Sequence, residues 1–271
     1  MKNQFIMLTT LLLAATLISG CSGSGSTAST NTLAASIVGK VADGYLSGAT
    51  VFLDKNNNYQ LDAGEPSTTT DSTGSFTLTI DPVDVGKYPI VALAIKDTTV
   101  DLDTNTPVTS TYVLSMHGVS VTSANTGTIT GTVSNFISPI STQLREMIES
   151  GKYSTVQAAE EALRTQMGLP LSANMTGDYI KNSDGAMHMA AQNIAAVMGS
   201  HMTQVMPGGK IDIAGYHGMI GSIFQNISAV KKGNCPNNTI FHDISSARVK
   251  PILHPFSSMF RPKGGGMMGG R

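Results

Sequence analysis

The hydrophobic period of this chain changes once along its length, and that change limits the folds open to it. Up to about Val133 apolar residues recur at every second position in short runs, whereas from Ser138-Pro139 onward they recur at intervals of three and four. A period of two marks a strand with one buried face and a period near 3.6 marks an amphipathic helix, so the two halves must use different secondary structure. Ile37, Gly39 and Val41 alternate with Val38 and Lys40. Further candidate strands are Val51-Phe52-Leu53, Phe76 to Ile80, Ile90 to Ile95, Thr98 to Leu102, Tyr112 to Met116 and Gly127 to Val133. Clusters of Gly, Pro, Asn and Asp separate these runs, as in short antiparallel strands joined by turns. Beyond Pro139 the stripe Ile140, Leu144, Met147 and Ile148 predicts a helix ended by Gly151, and Ser154-Thr155-Val156-Gln157 reads as a capping box that opens a second. A third helix is expected from about Gly185 to Met206 and a fourth from Ala214 to Val230. The fold class is therefore α+β: an N-terminal antiparallel β-sandwich over 36–135, then an α-helical region over 136–232.

The ends of the chain follow neither pattern. Lys2, an apolar run from Phe5 to Ile18, and the closing Leu17-Ile18-Ser19-Gly20-Cys21 resemble a bacterial lipoprotein signal with its lipobox. That resemblance implies a leader over 1–20, cleavage before Cys21, and acylation of Cys21 by palmitate-like chains. Ser22, where Asp would retain the protein at the inner membrane, implies delivery to the cell outer membrane. Each buried acyl methylene adds roughly 0.8 kcal/mol of membrane affinity, so several chains anchor stably. Residues 21–35 are a Gly/Ser-rich tether and 233–271 a low-complexity basic tail, expected to be disordered. With Cys21 lipidated, Cys235 has no intramolecular partner and stands as a loop thiol.

Charge is sparse and unevenly placed. Asp, Glu, Lys and Arg make up 13% of the chain, there is no Trp, and the formal net charge is −1, which disfavours a coiled coil and a globally basic nucleic-acid binder. Residues 36–130 hold ten acids against four bases, while 231–271 hold seven bases against Asp243 alone. An acidic front suits cations, and a basic tail suits an anionic surface.

One loop carries identifiable chemistry. Asp54-Lys55-Asn56-Asn57-Asn58-Tyr59-Gln60-Leu61-Asp62-Ala63-Gly64-Glu65 places oxygen-bearing side chains at loop positions 1, 3, 5, 9 and 12. Calcium takes about six to eight hard oxygen ligands, and this spacing offers Asp54, Asn56, Asn58, Asp62 and Glu65 with Gln60 adding its carbonyl. Tyr59 departs from the pattern, because a helix-flanked calcium loop uses Gly there for its sharp turn. Gly44 to Asp54, the loop through Gly64-Glu65-Pro66, and Thr70-Asp71-Ser72-Thr73-Gly74-Ser75-Phe76 resemble the calcium-binding B-type modules of bacterial surface adhesins. Those modules belong with carboxypeptidase regulatory-like, prealbumin-like sandwiches. The resemblance spans about 36–96 and implies a non-catalytic spacer or binding module in which Asp71 holds the following turn.

A second, softer constellation lies on the third helix. Met187, His188, Met189, Met198, His201, Met202 and Met206 include a repeat of four at 198, 202 and 206, and thioether with imidazole suits Cu(I). Methionine is equally a core filler, and Ala190, Ala191, Ile194, Ala195 and Val197 fit a buried helix. No His-Glu-x-x-His, nucleophile elbow, phosphate loop or haem-attachment motif is present, so no enzyme is expected. The leading expectation is a lipid-anchored envelope module with Ca2+ at Asp54 to Glu65 and a protein or glycan partner, without nucleic acid. The alternative is a metal-handling lipoprotein with copper at Met198, His201 and Met202.

Overall fold

The computed structural model describes residues 34–117 and 135–234, all within the compact unit Leu33–Arg271. Cys21, most of the tether, the candidate strand at Gly127–Val133, and the tail with Cys235, His242 and His254 lie outside the described residues. Ten strands and five helices follow in the order β1 (Ala35–Val41), β2 (Leu46–Ser47), β3 (Thr50–Leu53), β4 (Ser67–Thr69), β5 (Ser75–Ile80), β6 (Ile90–Ala94), β7 (Val100–Asp101), β8 (Thr106–Pro107), β9 (Tyr112–Met116) and β10 (Phe136–Ile137). The helices are α1 (Pro139–Glu149), α2 (Val156–Met167), α3 (Gly185–Val205), α4 (Ile213–Gln225) and α5 (Ile227–Val230). The class is α+β, with mainly antiparallel sheets.

Two sheets form the body, one ordered β10-β1-β5 and one ordered β4-β3-β6-β9. In β5 the apolar residues Phe76, Leu78 and Ile80 are buried while Thr77 and Thr79 are exposed, the signature of a sheet with one wet face. Strand β9 is buried at all five positions, because α1 and α3 pack against it as well as its sheet neighbours. Strand β5 packs against β3, and β10 against β6 and β9, so sheets and helices share a core. Gly39 on β1 is required by that packing: a Cβ there would lie 2.8 Å from Phe76 Cζ and would press on the Asn135 carbonyl.

Several local expectations need correction. The pair β1–β10 is parallel, with Lys40 opposite Phe136 and Val41 opposite Ile137, so the sheets are not wholly antiparallel. A long connection between the two strands permits that pairing where a hairpin would not. The Thr98 to Leu102 strand shrinks to Val100–Asp101, paired with β2 and β8 in a small third sheet. The capping box sits at α1, where Ser138 and Ser141 bond reciprocally; α2 is instead capped by Thr155 alone, whose side chain accepts from Ala158 N. The fourth helix breaks at Asn226, whose side chain donates to the Ser222 carbonyl and divides α4 from α5. Among the described residues no helix is long and apolar enough to cross a membrane.

Candidate functional site

The oxygen-rich loop joins β3 to β4, and its two carboxylates at the ends organise it. Asp54 is fully buried at the end of β3. Its two oxygens accept from Asn58 N and Tyr59 N, each at 3.0 Å. Glu65 closes the loop by accepting from Lys55 N at 2.7 Å and Asp62 N at 3.0 Å. Between these clamps Asn56 Nδ2 and Asn58 Nδ2 each lie 2.7 Å from Asp62 Oδ2, and those two bonds hold the Asp62 carboxyl below its ordinary value. Asn58 Oδ1 accepts from Gln60 N at 2.8 Å. The Lys55 ammonium leaves the loop for Asp84 at 2.6 Å, removing a cation from its interior. Asp71 holds the next turn, accepting from Thr73 N and Ser75 N.

Oxygen-bearing side chains of this kind suit a hard cation. Asn56, Asn58 and Asp62 converge on one exposed point; half a turn of the Asn56 amide exchanges its nitrogen for its oxygen there, whereas the same turn at Asn58 costs the bond from Gln60 N. Asp54 and Glu65 brace the loop instead, since both oxygens of each accept a backbone N–H; with the Gln60 carbonyl they would complete the donor set that the spacing indicated. Tyr59 supplies the sharp turn despite its side chain: its φ is +61°, and that of Asn57 is +63°. Left-handed backbone at a bulky residue costs of order 1–3 kcal/mol and persists only where surrounding contacts hold it. Among the described residues no group of three or more His, Cys, Asp or Glu side chains is gathered for a metal, and the loop relies on asparagine for two of its positions.

The contacts that hold Tyr59 come from the helices, and local sequence did not point to them. Arg145 on α1 is completely buried. Its guanidinium carbon lies 4.2 Å from the Tyr59 ring centroid. Nη2 donates to Asn57 Oδ1 at 2.5 Å and stands 3.9 Å from Asp54 Oδ2, while Nε donates to Glu149 at 2.8 Å. Burial works against the Arg145 charge, but Tyr59, Glu149 and Glu146 outweigh it and the guanidinium stays charged. One residue on, Glu146 accepts from the Tyr59 hydroxyl and from His217 Nδ1 of α4. Burial pushes the Glu146 carboxyl up, and His217, Arg145 and Tyr59 together pull it below its ordinary value. Burial lowers His217, and the bond to Glu146 more than offsets this, leaving the imidazole raised. Nothing local in the sequence marked these contacts, because Ser141, Thr142, Gln143 and Arg145 read as ordinary polar helix positions and only the packing shows all four buried.

A second polar cluster sits at the turn after β1. Asp43 Oδ2 accepts from the Tyr112 hydroxyl at 2.8 Å, whereas Oδ1 is sealed from solvent and takes no hydrogen bond. Burial raises the Asp43 carboxyl to about 7; the Tyr112 bond opposes this and the nearby Asp101 adds to it. Asp103 receives His188 Nε2 at 2.6 Å and Gln192 Nε2 at 2.8 Å, tying α3 to the small sheet.

The soft constellation is split between core and surface: Met187, Met198, His201 and Met202 are buried, His188 is half-buried and Met189 is exposed. Met198, His201 and Met202 are all buried on α3, and His201 Nδ1 is 2.9 Å from the Val197 carbonyl and 2.7 Å from Ser200 Oγ. Such burial is what a packing stripe requires, and it lends the copper alternative no support. Met206 ends α3 at its partly buried C-cap. No protein-family model matches this chain, and no curated protein or solved structure matches it either.

Proposed function

We propose that the chain is a lipid-anchored cell-envelope protein, acylated at Cys21 and delivered to the outer membrane, that acts without catalysis as a binding or structural module. In this reading the sheets form a prealbumin-like sandwich stiffened by Ca2+ in the Asp54 to Glu65 loop, and the helices present a surface to a protein or glycan. The observation that supports it is the convergence of Asn56 and Asn58 on Asp62 Oδ2 at 2.7 Å, with Asp54 and Glu65 bracing the loop backbone. The loop residues would hold the ion, whose role is to neutralise Asp54, Asp62 and Glu65 and fix the β3–β4 connection. Metal analysis and mass spectrometry of the full-length protein purified from envelope membranes test the reading together. Stoichiometric calcium and an acylated Cys21 are expected. Stoichiometric copper without calcium would favour the Met198, His201 and Met202 alternative, and an unmodified N-terminus other than Cys21 would remove the anchor.

A further inference from the structure

The loop has two sides with different duties. Asn56, Asn58 and Asp62 face one another on its exposed side. Asn57 and Tyr59, interleaved with them, carry the left-handed backbone, and both engage Arg145. Because the two sets alternate along the four residues 56–59, one cannot be repositioned without moving the other. Asp54 belongs to both sides, since its carboxylate braces Asn58 N and Tyr59 N and also faces the guanidinium at 3.9 Å.

Arg145 in turn joins this loop to the helices. Its Nε is committed to Glu149, and Nη1 is buried without a hydrogen bond, so the guanidinium has no solvent contact to fall back on. The Tyr59 hydroxyl reaches Glu146, which also binds His217 on α4. The Tyr59 ring packs on Tyr216 with centroids 4.5 Å apart, and the Tyr216 hydroxyl donates to the Val113 carbonyl of β9. Opening of α1 therefore removes the contacts that hold Asn57 and Tyr59 in their left-handed conformation, and opening of α4 removes the Tyr216 ring from Tyr59 and His217 from Glu146.

We infer that Arg145 is a positioning residue that couples cation binding in the loop to the integrity of α1 and α4, with Tyr59 as the second connection. The inference rests on the calcium reading above. A cation bound only by the braced loop must raise the free energy of any opening that releases the brace, and the coupling acts equally in both directions. Calcium should therefore protect α1 and α4 more than it protects α2, which has no residue in the network.

Hydrogen exchange of the full chain, with calcium chloride or chelator, tests this alongside titration calorimetry of the same samples. Expected is a slowing of exchange in 139–149 and 213–225 that exceeds the slowing in 156–167 by about fivefold, the lower range of typical coupling. Tyr59→Phe keeps the ring and loses the hydroxyl bond to Glu146; Arg145→Lys keeps the charge and loses the planar fork. Either variant should still give calcium heat, at an affinity lowered by about that same fivefold, while losing the selective protection at saturating calcium, and Tyr59→Phe alone suffices if Arg145→Lys does not fold. Calcium heat with equal slowing in all three helices would overturn the coupling and leave the calcium site standing. Absence of calcium heat in the wild type would overturn both.

Discussion

Arg145 and Tyr59 are stacked, guanidinium carbon to ring centroid 4.2 Å, where the loop after β3 meets α1. Both are buried, so the pair is shielded from water, and a desolvated cation–π contact is worth about 2 kcal/mol or more. The same guanidinium compensates Asp54 and Glu149, so its removal strands one buried and one partly buried carboxylate. Arg145→Met is accordingly expected to cost about 3–5 kcal/mol of stability, measured by urea unfolding. A loss under about 1 kcal/mol would mean that the charges relax to solvent without the arginine.

The Glu146–His217 pair gives stability a pH dependence with two flanks. The Glu146 carboxyl is lowered in the fold, so its contribution is present above the unfolded value of 4.5 and is lost as pH falls through the lower folded value. His217 is raised, so its contribution is present below 6.5 and is lost as pH rises through the higher folded value. Stability should fall on the alkaline side of 6.5, and His217→Gln should flatten that decline. Melting curves across pH 5–9 that decline equally in the variant would assign the flank to other groups.

Asp43 has the opposite sign for a carboxyl. Its folded value is raised from 3.8 to about 7, so the folded state holds the extra proton and stability falls as pH rises through that interval. Asp43→Asn keeps an acceptor for the Tyr112 hydroxyl and removes the ionisation. At pH 8 it should stabilise the fold by on the order of 2–4 kcal/mol relative to wild type, and below pH 4 the difference should disappear. An equal effect at both pH values would show that shape, and not charge, governs the site.

Gly39 tests the parallel β1–β10 pair. The space its Cβ would need is filled by Phe76 and the Asn135 backbone, so Gly39→Ala should lose about 1–3 kcal/mol or more on unfolding, the ordinary cost of overpacking. Gly221→Ala is the control for losing a glycine without crowding, since its φ is not left-handed and a Cβ there meets nothing within 4 Å. Equal losses in the two variants would argue against close packing at β10.

Legibility in the sequence tracked the length scale of each interaction. Strands β1, β3, β5, β6 and β9 were visible because four to seven residues suffice to set a period, whereas β2, β8 and β10 are two residues long and have none, and β7 showed only within the longer run Thr98 to Leu102. The β1–β10 pairing was hidden because a parallel partner is chosen by where the intervening chain returns. The loop ligands stood out because Asp54 through Glu65 act within twelve positions. Arg145 and His217 did not, since Asn57, Tyr59 and Glu146 meet them only after β3, α1 and α4 have packed. Tyr59 was read as a departure from the glycine pattern, yet the fold keeps its left-handed φ by contacts that come from another part of the chain.

Titration of calcium chloride into the chelator-stripped full chain bears on the loop most directly. One ion per chain is expected, with a dissociation constant on the order of 10⁻⁴ to 10⁻³ M, the range of extracellular modules. At ten times that constant the fold should gain about 1.4 kcal/mol, seen as a higher melting temperature that chelator reverses. Asp54→Ala and Asp62→Ala should each abolish both signals. No heat of binding, together with melting curves that superimpose with and without chelator, would contradict a calcium-stiffened loop.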